Sequence, residues 1–304
     1  MRLLVPLIFG MVIFGSMIKY IELYDGRDMG FHGLREAEWL QGIMQLDRPV
    51  GYFDFFPRNL KRLPLMTWSH LWFLAYLFLI SMMLLPLLMR LAQRVPNISV
   101  PSAFAVYAPL IPMIAVLVAL NGYWPYFPNL VMDWSNFLYF TLCVVIGAGI
   151  AAWPGFEARL RTQAPGFLLL LVIGFIGVAV FGESSWGRFF IGLVAWGGAG
   201  AGLGFMARLN PAPTPLTSYF SEATLPVYII HHAPLLLIGW YLLPVAIPLW
   251  LKIVVIWLAA IAASLAIYHW LVRPWPWMRW LMGMTPRRAG VSAPAASAAV
   301  SETV

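Results

Sequence analysis

The sequence predicts an all-α integral membrane protein, a polytopic helical bundle of about eight transmembrane helices. Three observations lead there. Of its 304 residues, 62% are hydrophobic. Only 10% are charged, where a soluble domain carries about 25%. The apolar residues also gather into eight runs, at 3–21, 70–89, 103–120, 136–153, 166–181, 189–206, 224–243 and 247–271. Each run is near the length that crosses the hydrocarbon as a helix, and a helix satisfies its own backbone there. No soluble core of this size hides so much apolar surface, so lipid is the expected solvent.

The first run follows Met1 and Arg2 directly and is uncharged from Leu3 to Ile18. It is too long for the core of a signal peptide, and no small-residue cleavage site follows Ser16, so it reads as a retained helix. In the 22–69 segment, Leu34, Ala37, Leu40, Ile43 and Met44 recur at helical spacing opposite Arg35, Glu36, Glu38, Gln41 and Gln45. That pattern predicts an amphipathic helix on the membrane or over the bundle. Tyr52, Phe53, Phe55, Phe56, Trp68 and Trp72 form an aromatic approach to the second run, as an interfacial belt would. Leu71 to Leu88 is uncharged and spans about 27 Å as a helix. The fifth run is the shortest. Glu183 and Arg188 flank Ser184–Gly187, which reads as a solvated loop. In the sixth run, Gly192, Gly197, Gly198, Gly200, Gly202 and Gly204 predict close helix packing. They are no phosphate loop, since no strand precedes them and no lysine follows. Residues 1–273 read as one membrane domain and 274–304 as a cytoplasmic, disordered tail, rich in Ala, Ser and Pro from Arg287 on.

The formal charge of +7 is explained by topology. With the N-terminus inside, the inner segments hold ten arginines: Arg2, Arg90, Arg94, Arg159, Arg161, Arg208, Arg273, Arg279, Arg287 and Arg288. The short outer loops hold only Arg188 and Lys252. The positive-inside bias therefore places both termini in the cytoplasm and 22–69 on the far side. No basic helix or stripe suggests nucleic acid. The single cysteine, Cys143, forms no internal disulfide or zinc cluster.

Chemistry is sought among five histidines: His32, His70, His231, His232 and His269. His70 begins the second run between Trp68 and Trp72. It either caps its helix or orients an acceptor and moves a proton, because imidazole titrates near neutral pH. Leu225-Pro226-Val227-Tyr228-Ile229-Ile230-His231-His232 places Tyr228 on a shared face with either histidine. Pro226 bends or starts that helix. On a continuous helix, His231 and His232 point about 100° apart and do not both face one cavity. They lie about 10–15 Å deep, counted from Glu222. Polar groups at that depth need a wet cleft or a partner. Arg273, four residues after His269, is expected to snorkel toward headgroups. No carboxylate stands at ligand spacing beside these histidines, so no metal is expected.

Trp68-Ser69-His70-Leu71-Trp72-Phe73-Leu74 resembles the signature of the membrane acyltransferase type 3 family. Leu225 to His232 is similar to a late helix of that family. Phe53 to Arg58 resembles the loop before the signature, and Arg2 to Met11 the helix after an arginine cluster. The nearest branch modifies periplasmic glucans, typically with succinyl groups. The resemblance implies an enzyme of the bacterial inner membrane. It would move an acyl group from cytoplasmic acyl-CoA to a hydroxyl of an extracytoplasmic glycan, with no bound cofactor. Arg2 is then a possible contact for CoA phosphates. It also implies one more helix pair, whose first helix carries an arginine-preceded histidine central to catalysis. No residue here matches that histidine, so the chain reads as truncated at its start or as lacking the usual base. The catalytic residue stays unknown, with His70, His231, His232 and Tyr228 as candidates. Two other classes stand beside the enzyme: a non-catalytic partner of an acyltransferase, and a small-molecule or glycan transporter.

Overall fold

The computed structural model describes residues 2–25, 51–61, 68–93, 102–123, 130, 133–153, 155–210, 212 and 214–285. The expected amphipathic helix at 34–45, His32, and the tail from 286 lie outside the described residues. The first run is helical as α1 (Leu4–Gly10), a π-helical turn (Met11–Gly15) and α2 (Ser16–Asp25). There follow α3 (Tyr52–Leu60), α4 (Trp72–Gln93), α5 (Leu110–Leu120), α6 (Trp134–Ala152), α7 (Phe156–Phe181), α8 (Ser185–Leu209), α9 (Pro215–Ile230), α10 (His232–Leu242), α11 (Leu249–Ile267) and α12 (Pro276–Leu281).

Every expected run coincides with helix, but the runs are not equivalent. Among the described residues, six helices are long and apolar enough to span a bilayer. The α9–α10 pair makes a seventh if its 59° bend is one broken span. The third run, Ala105–Leu120, is a shorter apolar helix that falls below that length. Pro109 and the 3-10 turn Ala105–Tyr107 interrupt its start.

Three local expectations are corrected. Phe53 to Arg58 is no loop, because it lies within α3. Phe55 there is buried rather than interfacial, packing on Tyr20, while Asn59 donates to Ser16 Oγ at 2.7 Å. Ser184 is an N-cap: its hydroxyl accepts from the Gly187 N–H at 3.2 Å, so 185–187 are the first turn of α8. The expected tail is folded in its first part. Residues 276–281 form α12, closed by Gly283 at φ +68° with the Met284 N–H donating to the Arg279 carbonyl at 2.9 Å. That is a Schellman cap, which favours glycine at its left-handed position.

The chain divides into two compact units. One is Trp72–Pro215. Its core joins Val106, Met113, Phe156, Leu160, Phe167, Trp196 and Ala201. The Trp196 indole donates to the Val106 carbonyl at 3.0 Å. Here α7 and α8 lie backbone to backbone. A Cβ on Gly197 would stand 2.7 Å from Leu171 N, and one on Gly204 2.5 Å from the Leu160 carbonyl oxygen. Small residues substitute for a hydrophobic drive that lipid does not supply.

The other unit is Met1–Leu71 with Leu216–Val304. Ile18, Ile21 and Leu236 form its apolar centre, with Trp240 packed beside them. Lys252 donates to the Leu243 carbonyl at 2.6 Å, satisfying the end of α10. This unit holds the broken helix.

Candidate functional site

His70 stands on a single 3-10 turn, Ser69–Leu71, just before α4. Ser69 has φ of +44°, a left-handed conformation that costs a non-glycine residue about 1–2 kcal/mol. The surroundings hold it there. The Leu71 N–H donates to the Trp68 carbonyl at 2.7 Å. The Tyr228 hydroxyl donates to the His70 carbonyl, also at 2.7 Å. Leu71 is fully buried against α1 at Gly10, where a Cβ would collide with it and stand 3.2 Å from Ile229.

The helix opposite is broken by its own sequence. Pro234, in the first turn of α10, has no N–H, and its ring excludes the carbonyl four residues back, that of Ile230. The chain turns by 59° between Ile230 and His232. Beside this break the Ile229 carbonyl meets His70 Nε2 at 3.0 Å. A carbonyl only accepts, so Nε2 carries the proton and Nδ1 carries the lone pair. His70 Nδ1 is buried and has no hydrogen-bond partner among the described residues.

The break also gathers the other imidazoles. His232 stacks on His70 with ring centroids 4.9 Å apart and planes 11° apart. His231 meets His70 edge to face at 5.2 Å. The divergence expected of neighbours on a continuous helix is overcome because His70 enters at the bend, where it touches both. His231 Nδ1 lies 2.7 Å from the Tyr228 carbonyl, so it too donates there and leaves Nε2 as the basic nitrogen. Tyr228 is 6.0 Å from His70 by ring centroids, but its hydroxyl is spent on the backbone. It acts as a positioning residue. All four candidates named from sequence therefore meet in one place, on elements separated by about 160 residues of chain. Among the described residues, no three His, Cys, Asp or Glu side chains are grouped as a metal would need.

His269 is elsewhere, 3.4 Å from the Tyr219 hydroxyl. Arg2 is exposed at the start of α1. Arg273 does not simply reach outward. Its Nε is 3.8 Å from Glu222, and its guanidinium lies over the Tyr219 ring at 5.2 Å.

Two polar clusters escaped the sequence reading. In the first unit described, buried Asp133 accepts from the Tyr76 hydroxyl and from Asn136 Nδ2, each at 2.7 Å. In the unit of the histidines, Glu222 accepts from the Tyr268 hydroxyl at 2.9 Å and from Arg279 at 2.5 Å. The signal available for Glu222 was its standing as the one Asp, Glu, Lys or Arg between Arg208 and Lys252, at the entry of an apolar span, where a carboxylate calls for a partner.

The family model described as an acyltransferase domain, of the acyltransferase type 3 family, matches residues 1–269. The chain belongs to that family. No curated protein and no solved structure matches the chain.

Proposed function

We propose that this acyltransferase-family member moves an acyl group from acyl-CoA, presented on the cytoplasmic side, to a hydroxyl of an extracytoplasmic glycan such as a periplasmic glucan. His70 is assigned as the base. The single observation that carries this reading is the His70 ring itself, with Nε2–H held by the Ile229 carbonyl and a bare Nδ1 beside two further imidazoles. A base needs its proton-bearing nitrogen fixed so that the other nitrogen is aimed and unprotonated.

The step balances as follows. Nδ1 takes the proton of the acceptor hydroxyl while its oxygen attacks the thioester carbonyl. The tetrahedral intermediate collapses, the carbon–sulfur bond breaks, and the thiolate leaves as CoA. The proton on the imidazole then passes to that sulfur or to water. His231, with Nε2 as its basic nitrogen, is placed to share the proton. Arg2 is assigned to the donor's phosphates; the arginine distribution supports cytoplasmic termini, and an inner-membrane location is part of the same proposal.

The test follows labelled acyl-CoA added to inverted membrane vesicles that carry the protein and the glycan. Label is expected in the glycan. If the protein is inert with every donor and acceptor tried, the enzyme reading fails. A second reading, transport without covalent chemistry, draws on the break at His231, since broken helices near polar groups line transport sites. Glycan flux that proceeds without acyl-CoA would favour it.

A further inference from the structure

We propose that Arg273 and Arg279, only partly neutralised by Glu222, form a binding site for the phosphodiester of an anionic lipid headgroup. The site is independent of the acyl-transfer reading, and its two arginines lie beyond the matched 1–269 segment. Arg279 is 4% exposed, and a guanidinium stays charged and cannot lose its proton in a protein. Its Nη2 alone is engaged, with Glu222 at 2.5 Å and the Thr285 carbonyl at 2.9 Å. Nε and Nη1 are buried without a hydrogen-bond partner among the described residues, and Arg273 Nε likewise makes no hydrogen bond, though it faces Glu222 at 3.8 Å.

The acceptors at hand are committed. Glu222 Oε1 receives Arg279, and Oε2 receives the Tyr268 hydroxyl. Two guanidiniums thus face one carboxylate, and several N–H bonds stay unpaired. An anion with several oxygens suits that arrangement, because arginine binds phosphate through more than one N–H at once.

The surroundings select a lipid as its source. Trp270, Trp275, Trp277 and Trp280 all expose more than half of their surface. Indoles collect at headgroup depth, where an apolar ring and a polar N–H are both satisfied. They flank the arginines along the end of the last span and α12. The Met282–Thr285 turn folds back over the guanidinium, and its Thr285 carbonyl occupies the place of one ligand oxygen. A phosphate oxygen replaces that neutral acceptor, and the remaining oxygens take Nε and Nη1. Gly283 permits the turn to close against the Arg2 backbone, where a Cβ would collide.

The experiment uses the full chain purified in neutral detergent and native mass spectrometry of retained lipid. The probes are phosphatidylglycerol and phosphatidylcholine, with coenzyme A and inorganic phosphate as soluble competitors. Wild type is expected to retain phosphatidylglycerol in preference to phosphatidylcholine. Arg273→Gln should weaken that retention about fivefold, the value of one arginine near an anionic surface. Arg279→Lys keeps the charge but not the fork, so it serves if Arg279→Gln fails to fold, and it should also lose retention. Equal retention of both lipids overturns the proposal, as does unchanged retention in both variants. Displacement of the lipid by coenzyme A or phosphate at matched concentration also overturns it, by assigning the cations to a soluble phosphate.

Discussion

In the Trp72–Pro215 unit, α7 and α8 run uninterrupted, and glycines let their backbones touch. In the other unit, the helix at 215–242 stops at Ile230, bends, and admits an imidazole. Both units face the same physical problem, which is to hold helices together where lipid is as apolar as leucine. One solves it by removing side chains, the other by hydrogen bonds made where the helical ladder is interrupted. The difference teaches where chemistry can sit. A continuous helix in lipid spends most of its backbone groups on itself, and the break frees the carbonyl that orients His70.

Substitutions sharpen this contrast, beginning with the charged knot below the break. Glu222→Ala leaves Arg279 buried without its carboxylate and should destabilise the fold by about 3–5 kcal/mol, read as a fall in thermal stability in detergent. Gly204→Ala should cost about 1–3 kcal/mol, because the new methyl meets the Leu160 backbone. Gly202→Ala is its control. A methyl there meets nothing within 4 Å, so its melting temperature should not fall below wild type. If both glycine variants melt alike, backbone contact is not what holds that unit.

Much of this contrast was legible in the sequence. Pro226 and the His231–His232 pair marked a disturbed helix, and the glycine spacing after Gly192 marked a close packing face. The meeting of His70 with Ile229 was not legible, because a pairing across 159 residues leaves no local period. Nor was the bend placed correctly. Pro226 drew attention, yet α9 continues through it, and the chain breaks at 231, where Pro234 acts on the turn behind it. The loop expected before Trp68 is partly helical because Phe55 and Asn59 find buried partners that a belt of exposed rings would not have. Arg279 was counted toward topology. Its burial depends on Glu222, from a helix far away in sequence.

Smaller changes probe the histidine turn. Tyr228→Phe removes one hydrogen bond to the His70 carbonyl and should cost about 1 kcal/mol of stability. Acyl transfer should slow with it, because the turn that aims the ring loosens. Ser69→Gly should do the opposite to stability, adding about 1 kcal/mol by relieving the left-handed serine. A Ser69→Gly chain that melts lower than wild type would show that the serine side chain outweighs its backbone strain.

The most direct measurement compares acyl transfer by wild type and His70→Gln in the same membranes, with thermal stability recorded for both. Glutamine keeps an N–H donor for the Ile229 carbonyl and supplies no basic nitrogen. The account predicts a rate lowered by about a hundredfold or more at unchanged stability. Transfer by the glutamine chain at the wild-type rate would contradict it.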